Sequence, residues 1–308
     1  MANRIESRIE HIPAQSRSVT HAIHRRFPVK AADILCYVFL LVVVVLSLYP
    51  LYWMITSSFK PGDEIATAPL SLDIHTLSFN NYAALLSSVP IWVGFQNTLI
   101  VLICKGALTL FFCPLAGFAF AKFHFRGRDA LFTLVLATLM LPPIVMLVPL
   151  LLEMGSLDWV NTYQALILPG AIGAFSIFWM RQQIAEVPNE LLDAGRIDGC
   201  TSFALYWRIV LPLIQPALAA LAILTFLDIY NDFVWPVIVT NTDDMQTLQV
   251  MLSALATQIN NAQPGMTGHD AWGEILAAST LATLPVLILF IVLQRQFIRG
   301  ILSGGVKG

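Results

Sequence analysis

The hydrophobic residues of this chain form long, nearly uncharged runs that alternate with short polar segments. A bilayer core about 30 Å thick is crossed by roughly 20 apolar residues of α-helix. Runs of about that length occupy residues 34–59, 130–152, 159–180, 209–227 and 275–294. A sixth run, residues 92–121, contains a single charge at Lys105. The pattern therefore predicts six transmembrane segments.

These segments are expected to be helical. In lipid every backbone N–H and C=O needs a partner within the protein, and the runs lack the apolar and polar alternation of barrel strands. Composition agrees, because 57% of the 308 residues are hydrophobic and only 12% are charged. Soluble domains carry about 25% charged residues. The expected fold class is an all-α polytopic membrane protein.

Positive charges are distributed unequally between the two sides of the predicted helices. The side that holds the termini and alternate loops has fifteen of the 17 Lys and Arg residues. These fifteen are Arg4, Arg8, Arg17, Arg25, Arg26, Lys30, Lys122, Arg126, Arg128, Arg181, Arg196, Arg208, Arg295, Arg299 and Lys307. The positive-inside rule then places both termini in the cytoplasm, in a bacterial-type inner membrane. A nucleic-acid partner is the weaker interpretation of the basic N-terminus, given six predicted spans.

Three parts are expected along the chain: a cytoplasmic N-terminal segment (1–32), a six-helix membrane domain (33–300) and a cytoplasmic tail (301–308). No small-residue cleavage site follows the first run, so it is interpreted as an uncleaved span. The longest cytoplasmic loop covers residues 182–213. The four cysteines lack metal-ligand spacing, and neither a metal site nor a disulfide framework is expected.

Prolines modify one of the predicted helices. Pro142, Pro143 and Pro149 all lie in the third run. Proline removes a backbone donor and clashes with the preceding turn. The third helix is therefore predicted to be kinked or broken.

The long loop has a helical pattern of its own. Asn189 is placed to cap a helix, with Glu190 and Asp193 in the first turn, where the helix dipole favours negative charge. Gly199 supplies a stop, and a second helical turn leads to Pro212. The predicted hairpin has a small apolar face and a charged face. From these features alone, an interfacial linker fits as well as a docking element.

The spacing within this loop resembles the signature of the inner-membrane permeases of ATP-binding-cassette importers. That signature is Glu-Ala-Ala, three residues, Gly, nine residues, and Ile-x-Leu-Pro. Here Asp193-Ala194-Gly195 is followed by Gly199 and by Ile209, Leu211 and Pro212, with every spacing kept. Asp replaces Glu and Gly replaces the second Ala, and the Gly costs a helix about 1 kcal/mol.

The resemblance implies a type I importer permease fold whose loop docks on an ATPase subunit. The residues implied in coupling are Glu190, Asp193, Ala194, Gly195, Asp198, Gly199, Ile209, Leu211 and Pro212. The chain has no Gly-x-x-x-x-Gly-Lys-Ser/Thr phosphate loop. The expected role is therefore transport rather than enzymatic catalysis. Two separate ATPase subunits would bind ATP and Mg²⁺, and a second permease and an external solute-binding protein would complete the assembly.

The resemblance covers nearly the whole chain and narrows to the carbohydrate-uptake branch, similar to the maltose-type second permease subunit. The supporting stretches are residues 51–60, 79–82, 96–98, 140–142, 161–163, 188–199, 231–236 and 304–308. A sugar or oligosaccharide importer is thus implied. The alternatives are a permease for another solute, such as glycerol phosphate or a polyamine, and an ion-coupled secondary carrier.

Polar and aromatic residues near the spans are candidates for a substrate pathway or gate. They are Asn97, Lys105, Asp228, Tyr230, Asn231, Asp232 and Trp235. Their chemistry suits sugar hydroxyls and ring faces, but helix packing or contact with a binding protein would use the same groups. A charge such as Lys105 costs roughly 2.5–3.5 kcal/mol in a membrane helix. An ion pair with Asp228 is hypothesised, against the alternatives of snorkelling and of contact with a second permease.

Overall fold

The computed structural model describes residues 31–67, 77–261 and 270–305. Within these ranges the chain is helical and contains no strand, which confirms the all-α class for them. The helices are α1 (Ala31–Ser57), α2 (Gly62–Thr67), α3 (Asn80–Ser88), α4 (Ile91–Lys122), α5 (Arg128–Thr138), α6 (Pro143–Ser156), α7 (Tyr163–Ile167), α8 (Ala174–Ala185), α9 (Asn189–Ile197), α10 (Ser202–Leu205), α11 (Leu211–Leu213), α12 (Gln215–Tyr230), α13 (Val234–Val239), α14 (Leu248–Asn261) and α15 (Asp270–Gly305). A π-helical turn, Tyr206–Val210, joins α10 to α11.

The chain divides into two units, residues 1–52 and 53–308. In the first unit, the apolar side chains of α1 from Ile34 to Leu48 are exposed on every side of the helix. A helix that is apolar all round is suited to lipid or to another protein. The predicted N-terminal segment, apart from its last two residues, and residues 306–308 of the predicted tail lie outside the described residues.

Three helices of the described residues are long and apolar enough to cross a bilayer on their own: Asp33–Ser57, Ile91–Lys122 and Trp272–Leu293. They correspond to the first, second and sixth predicted spans. The third predicted span is broken between α5 and α6, which meet at an angle of 98°. The break lies at Pro142 and Pro143, so the predicted proline effect is confirmed.

The fifth predicted span is also bent. The segment Ser202–Leu213 meets α12 at 80°, with Ile214 at the corner. Pro212 and Pro216 lie on either side of this corner, and neither has an N–H to continue the helical ladder. Counting each bent pair as one span gives up to five spans by length and composition.

The prediction of one continuous helix over residues 159–180 is wrong. The structure has the short helix α7 and the 12-residue helix α8, separated by residues 168–173. Pro169 and Gly170 lie in this gap, and Gly170 has φ of +72°, which right-handed helix cannot contain. The apolar run therefore did not predict the path of the backbone.

Helices α4 and α12 form the centre of the second unit. Three hydrophobic cores are present among the described residues, and each contains side chains from both helices. The pairs are Phe118 with Leu221, Ile91 with Tyr230, and Val101 with Ile229. All three cores therefore include this pair of helices.

Close approach between α4 and α8 depends on Gly117. A Cβ added at this position would lie 2.8 Å from the backbone nitrogen of Arg181 and 2.9 Å from Cβ of Met180. Small residues allow membrane helices to pack backbone to backbone, where dispersion forces are strongest. The contact positions Arg181, whose guanidinium carbon lies 4.0 Å from the ring centroid of Phe132.

We expect Gly117→Ala to destabilise the protein, by about 1–3 kcal/mol, because α8 must move away from α4. The measurement is the midpoint of thermal unfolding in detergent. Gly106→Ala is the matched control, since a Cβ there meets nothing within 4 Å. Equal midpoints for the two variants would show that the α4–α8 contact is not tightly packed.

Candidate functional site

The loop predicted to carry the signature forms a hairpin made of α9 and α10, residues 189–205. Helix α9 ends in a Schellman motif: Cys200 N–H donates to Gly195 O at 2.9 Å, and Gly199 N–H donates to Arg196 O at 3.0 Å. Gly199 adopts φ of +81°, the left-handed conformation that this motif requires. The predicted helix stop at Gly199 is confirmed.

The inner side of the hairpin is closely packed. Leu192 and Gly195 are buried, and a Cβ at Gly195 would lie 2.6 Å from Leu205 Cδ2 and 2.7 Å from Ile209 Cδ1. Leu192 and Leu205 belong to the same core as Met180 of α8. The hairpin is thus packed as a unit against the ends of the long helices.

The predicted capping role of Asn189 is wrong. Pro188 precedes α9, with no side-chain cap, and Asn189 is the first helical residue. Its Oδ1 instead accepts a hydrogen bond of 2.9 Å from Nζ of Lys122. The same ammonium donates to Val187 O at 2.6 Å and Ala185 O at 3.3 Å. Lys122 therefore ties the end of α4 to the last carbonyls of α8 and the start of α9.

The outer side of the hairpin is exposed and partly apolar. Leu191, Ala194 and Ile197 recur at every third position of α9, and 87% of Ile197 is exposed. Beside them, Arg196 donates to Asp193 Oδ1 at 2.7 Å. Such a surface, small and apolar with a charged margin, is suited to a groove on another protein.

The predicted coupling residues are divided between the two sides of this hairpin and its continuation. Exposed positions are Glu190, Asp193, Ala194, Asp198, Gly199 and Pro212. Gly195 is buried, while Ile209 and Leu211 are half-buried in the packing beneath. The motif thus combines a presented surface with the contacts that hold it in place.

The second group of predicted residues surrounds a cavity of about 400 Å³ between α4, α8 and α12. Lys105 and Asp228 line it, together with Thr109, Ser176 and Thr225. Asp228 also borders an adjoining groove that contains Asn231, Asp232 and Trp235. The structure therefore brings five predicted residues to the cavity and the adjoining groove: Lys105, Asp228, Asn231, Asp232 and Trp235.

The hypothesised Lys105–Asp228 ion pair is not formed as a direct contact. No salt bridge of the described residues includes Lys105. Lys105 also lines a small pocket together with Asp232. Lys105 is 9% exposed, and its ammonium faces Gly170 in the break between α7 and α8. The helix break thus supplies the space into which this buried charge points.

Three predicted pathway residues are used in packing. Asn97 is buried, donates to Asp244 O and Gln246 O at 2.8 Å each, and accepts from the Tyr163 hydroxyl at 2.6 Å. It fastens the loop before α14 to α4. Tyr230 donates to Ala282 O at 2.7 Å, and Trp235 Nε1 donates to Ala165 O at 2.8 Å. Asn231 is exposed and donates to Leu227 O of its own helix.

Comparison with protein families tests the resemblance suggested by the hairpin sequence. Residues 114–303 match the family described as binding-protein-dependent transport system inner membrane component. The chain belongs to this family. The predicted resemblance is confirmed, and the matched range contains the whole hairpin.

Curated relatives align over most of the chain. The arabinooligosaccharides transport system permease protein AraQ of Halalkalibacterium halodurans is 38% identical over 85% of this chain and 92% of its own length. The lactose transport system permease protein LacG of Rhizobium radiobacter is 32% identical over 92% of this chain and 98% of its own. The sn-glycerol-3-phosphate transport system permease protein UgpE of Yersinia pestis is 29% identical over 89% and 97%.

A solved structure shows the same fold. A chain of a bacterial ABC transporter involved in the import of the acidic polysaccharide alginate superposes with a TM-score of 0.77 at 22% identity. The match covers 86% of this chain and 98% of that one. The chain is therefore a membrane-embedded permease of the ABC importer fold.

Sequence reasoning missed several residues of the site. Lys122 was counted only as a topological charge, because its partners lie 63–67 positions away. Phe175, Ser176 and Thr225 of the cavity are ordinary members of apolar runs. The nearest available signal was Gly170 and Gly173 within the fourth run, where glycines interrupt a membrane helix.

We expect Lys122→Met to loosen the hairpin, because three acceptors lose a charged donor. With partial exposure taken into account, the cost is about 1 kcal/mol. The measurement is the rate of protease cleavage within residues 186–201 of the purified protein. Arg126→Met is the control, since it removes a nearby charge that makes none of these bonds. Equal cleavage rates would contradict the anchoring role of Lys122.

Proposed function

We propose that the chain is the permease subunit of an ATP-driven importer for a sugar or oligosaccharide, coupled to its ATPases through residues 188–212. The hairpin is the observation that carries this proposal. Its outer face is free of other described elements, while its inner face is packed against α8 and the π-helical turn. A force applied to such a surface is transmitted as a rigid displacement.

The sugar assignment is supported by the relatives named for arabinooligosaccharides and lactose. The relative named for sn-glycerol 3-phosphate keeps a phosphate-bearing solute as the second candidate. A polyamine or an ion-coupled secondary mechanism has no comparable support. The signature spacing in the hairpin favours ATP coupling over ion coupling.

The proposed mechanism is alternating access. An external binding protein delivers the solute to a pair of permeases, this chain and a second one. Two ATPase subunits bind ATP and Mg²⁺, close on each other and move the hairpins. The chain itself carries out no covalent chemistry.

Co-purification tests the proposal. The tagged chain is extracted from membranes of its own cell, and ATP hydrolysis by the recovered assembly is measured with binding protein and candidate sugars. Recovery of a second permease and an ATPase stimulated by one sugar would support the proposal. A chain that transports solute alone after reconstitution would overturn it.

We expect Ala194→Arg to abolish recovery of the ATPase while leaving the permease folded. Ala194 is exposed on the apolar side of α9, so a long charged side chain would block a close helix-in-groove contact. Ala194→Ser keeps the side chain small and is the matched control. Normal ATPase recovery by the arginine variant would remove this face from the docking surface.

The proposed topology has six spans and both termini in the cytoplasm of the inner membrane. In this arrangement three pairs of segments each count as one crossing. They are α5 with α6, α7 with α8, and the segment Ser202–Leu213 with α12. Alkaline phosphatase, which is active only outside, should be active when fused after Thr240 and inactive when fused after Ile197. The opposite result would invert the topology.

A further inference from the structure

The cavity between α4, α8 and α12 has the properties of a ligand site. Its volume of about 400 Å³ lies within the range of small-molecule pockets. Ser176 and Thr225 line it beside the charged residues Lys105 and Asp228, while the Thr109 hydroxyl donates to Ala171 O at 2.7 Å. Phe175, which is 48% exposed, presents an aromatic ring at its wall. This combination of polar groups and a ring is the chemistry that binds pyranose or furanose units.

The Lys105 ammonium opens on this cavity. The residue is 9% exposed, and its three N–H groups can donate to a molecule in the cavity. Membrane helices tolerate a charged group mainly where it faces a cavity or a pathway. The Thr225 hydroxyl makes no hydrogen bond within the described part of the chain. Both groups face the same space.

The charges around the cavity favour a neutral ligand. Asp228 lines the cavity with Lys105, and Asp232 lies in the adjoining groove and shares a small pocket with Lys105. The formal charges of these two carboxylates and one ammonium sum to −1. A phosphate or uronate would meet this negative field, whereas a neutral sugar can accept from Lys105 and donate to Asp228.

We propose that this cavity is a subsite for one neutral sugar unit, so that this permease itself contacts the cargo, with Lys105 and Thr225 as donors and Asp228 as acceptor. The inference rests on the proposed function and narrows its substrate to an uncharged saccharide. In this proposal Thr225, Ser176 and Phe175 contact the sugar in place of Asn97, Tyr230 and Trp235. The polar groups of those three residues are engaged in packing.

The test measures sugar retained by the complete transporter, purified with its own ATPase and binding protein and stalled with ADP and vanadate. The probes are radiolabelled arabinotriose, lactose and sn-glycerol 3-phosphate. We expect a neutral sugar to be retained, and its affinity to fall about tenfold or more in Lys105→Met and about threefold to tenfold in Thr225→Val. Thr225→Ser keeps the hydroxyl and is expected to bind as the unaltered chain does.

The outcomes separate this inference from the proposed function. Unchanged sugar retention in Thr225→Val, an isosteric and uncharged change, would overturn the subsite even if Lys105→Met failed to assemble. Retention of sn-glycerol 3-phosphate in preference to both sugars would overturn the neutral ligand, and with it the sugar substrate. Sugar uptake without any retained sugar would overturn the subsite alone. Lack of an associated ATPase would instead contradict the proposed function.

Discussion

Close packing of helices around α4 is the constraint on which the rest of the molecule depends. In a bilayer, burial of apolar side chains between helices gains little over contact with lipid, so interfaces rely on close backbone approach and on polar groups. Gly117 brings α8 to within contact of α4, and each of the three cores combines α4 with α12. The cavity lies beside residues 168–173, where the chain between α7 and α8 is not helical. The tightly packed part of this interface thus holds the helices together, and the open part forms the cavity.

Polar residues in the membrane-embedded part fall into two classes. Asn97, Tyr230 and Trp235 are paired with backbone carbonyls of distant segments and hold those segments in place. Lys105 and Asp228 form no salt bridge among the described residues and line the cavity. The two classes differ in whether their polar atoms are hydrogen-bonded within the protein, not in residue type. The bonded residues hold the helices in place, and the others line the cavity.

Hydropathy predicted the all-helical class, and residue spacing predicted the hairpin with its stop at Gly199. The broken third helix was also predictable, since Pro142 and Pro143 act on the backbone locally. The break at 168–173 was not, because Pro169 and Gly170 lie inside an apolar run that hydropathy treats as continuous. The contacts of Lys122 and Asn97 depend on residues far away in sequence. A local pattern contains no information on such pairs.

The π-helical turn connects the hairpin to the corner at Ile214, from which α12 runs to the cavity. One residue corresponds to about 100° around a helix axis. Loss or gain of a single residue between Tyr206 and Leu213 would therefore rotate the corner at Ile214 relative to the hairpin and change the direction in which α12 leaves it. Length variation is physically tolerable in the exposed loops but not in this short connection, which fixes the position of the hairpin relative to the cavity.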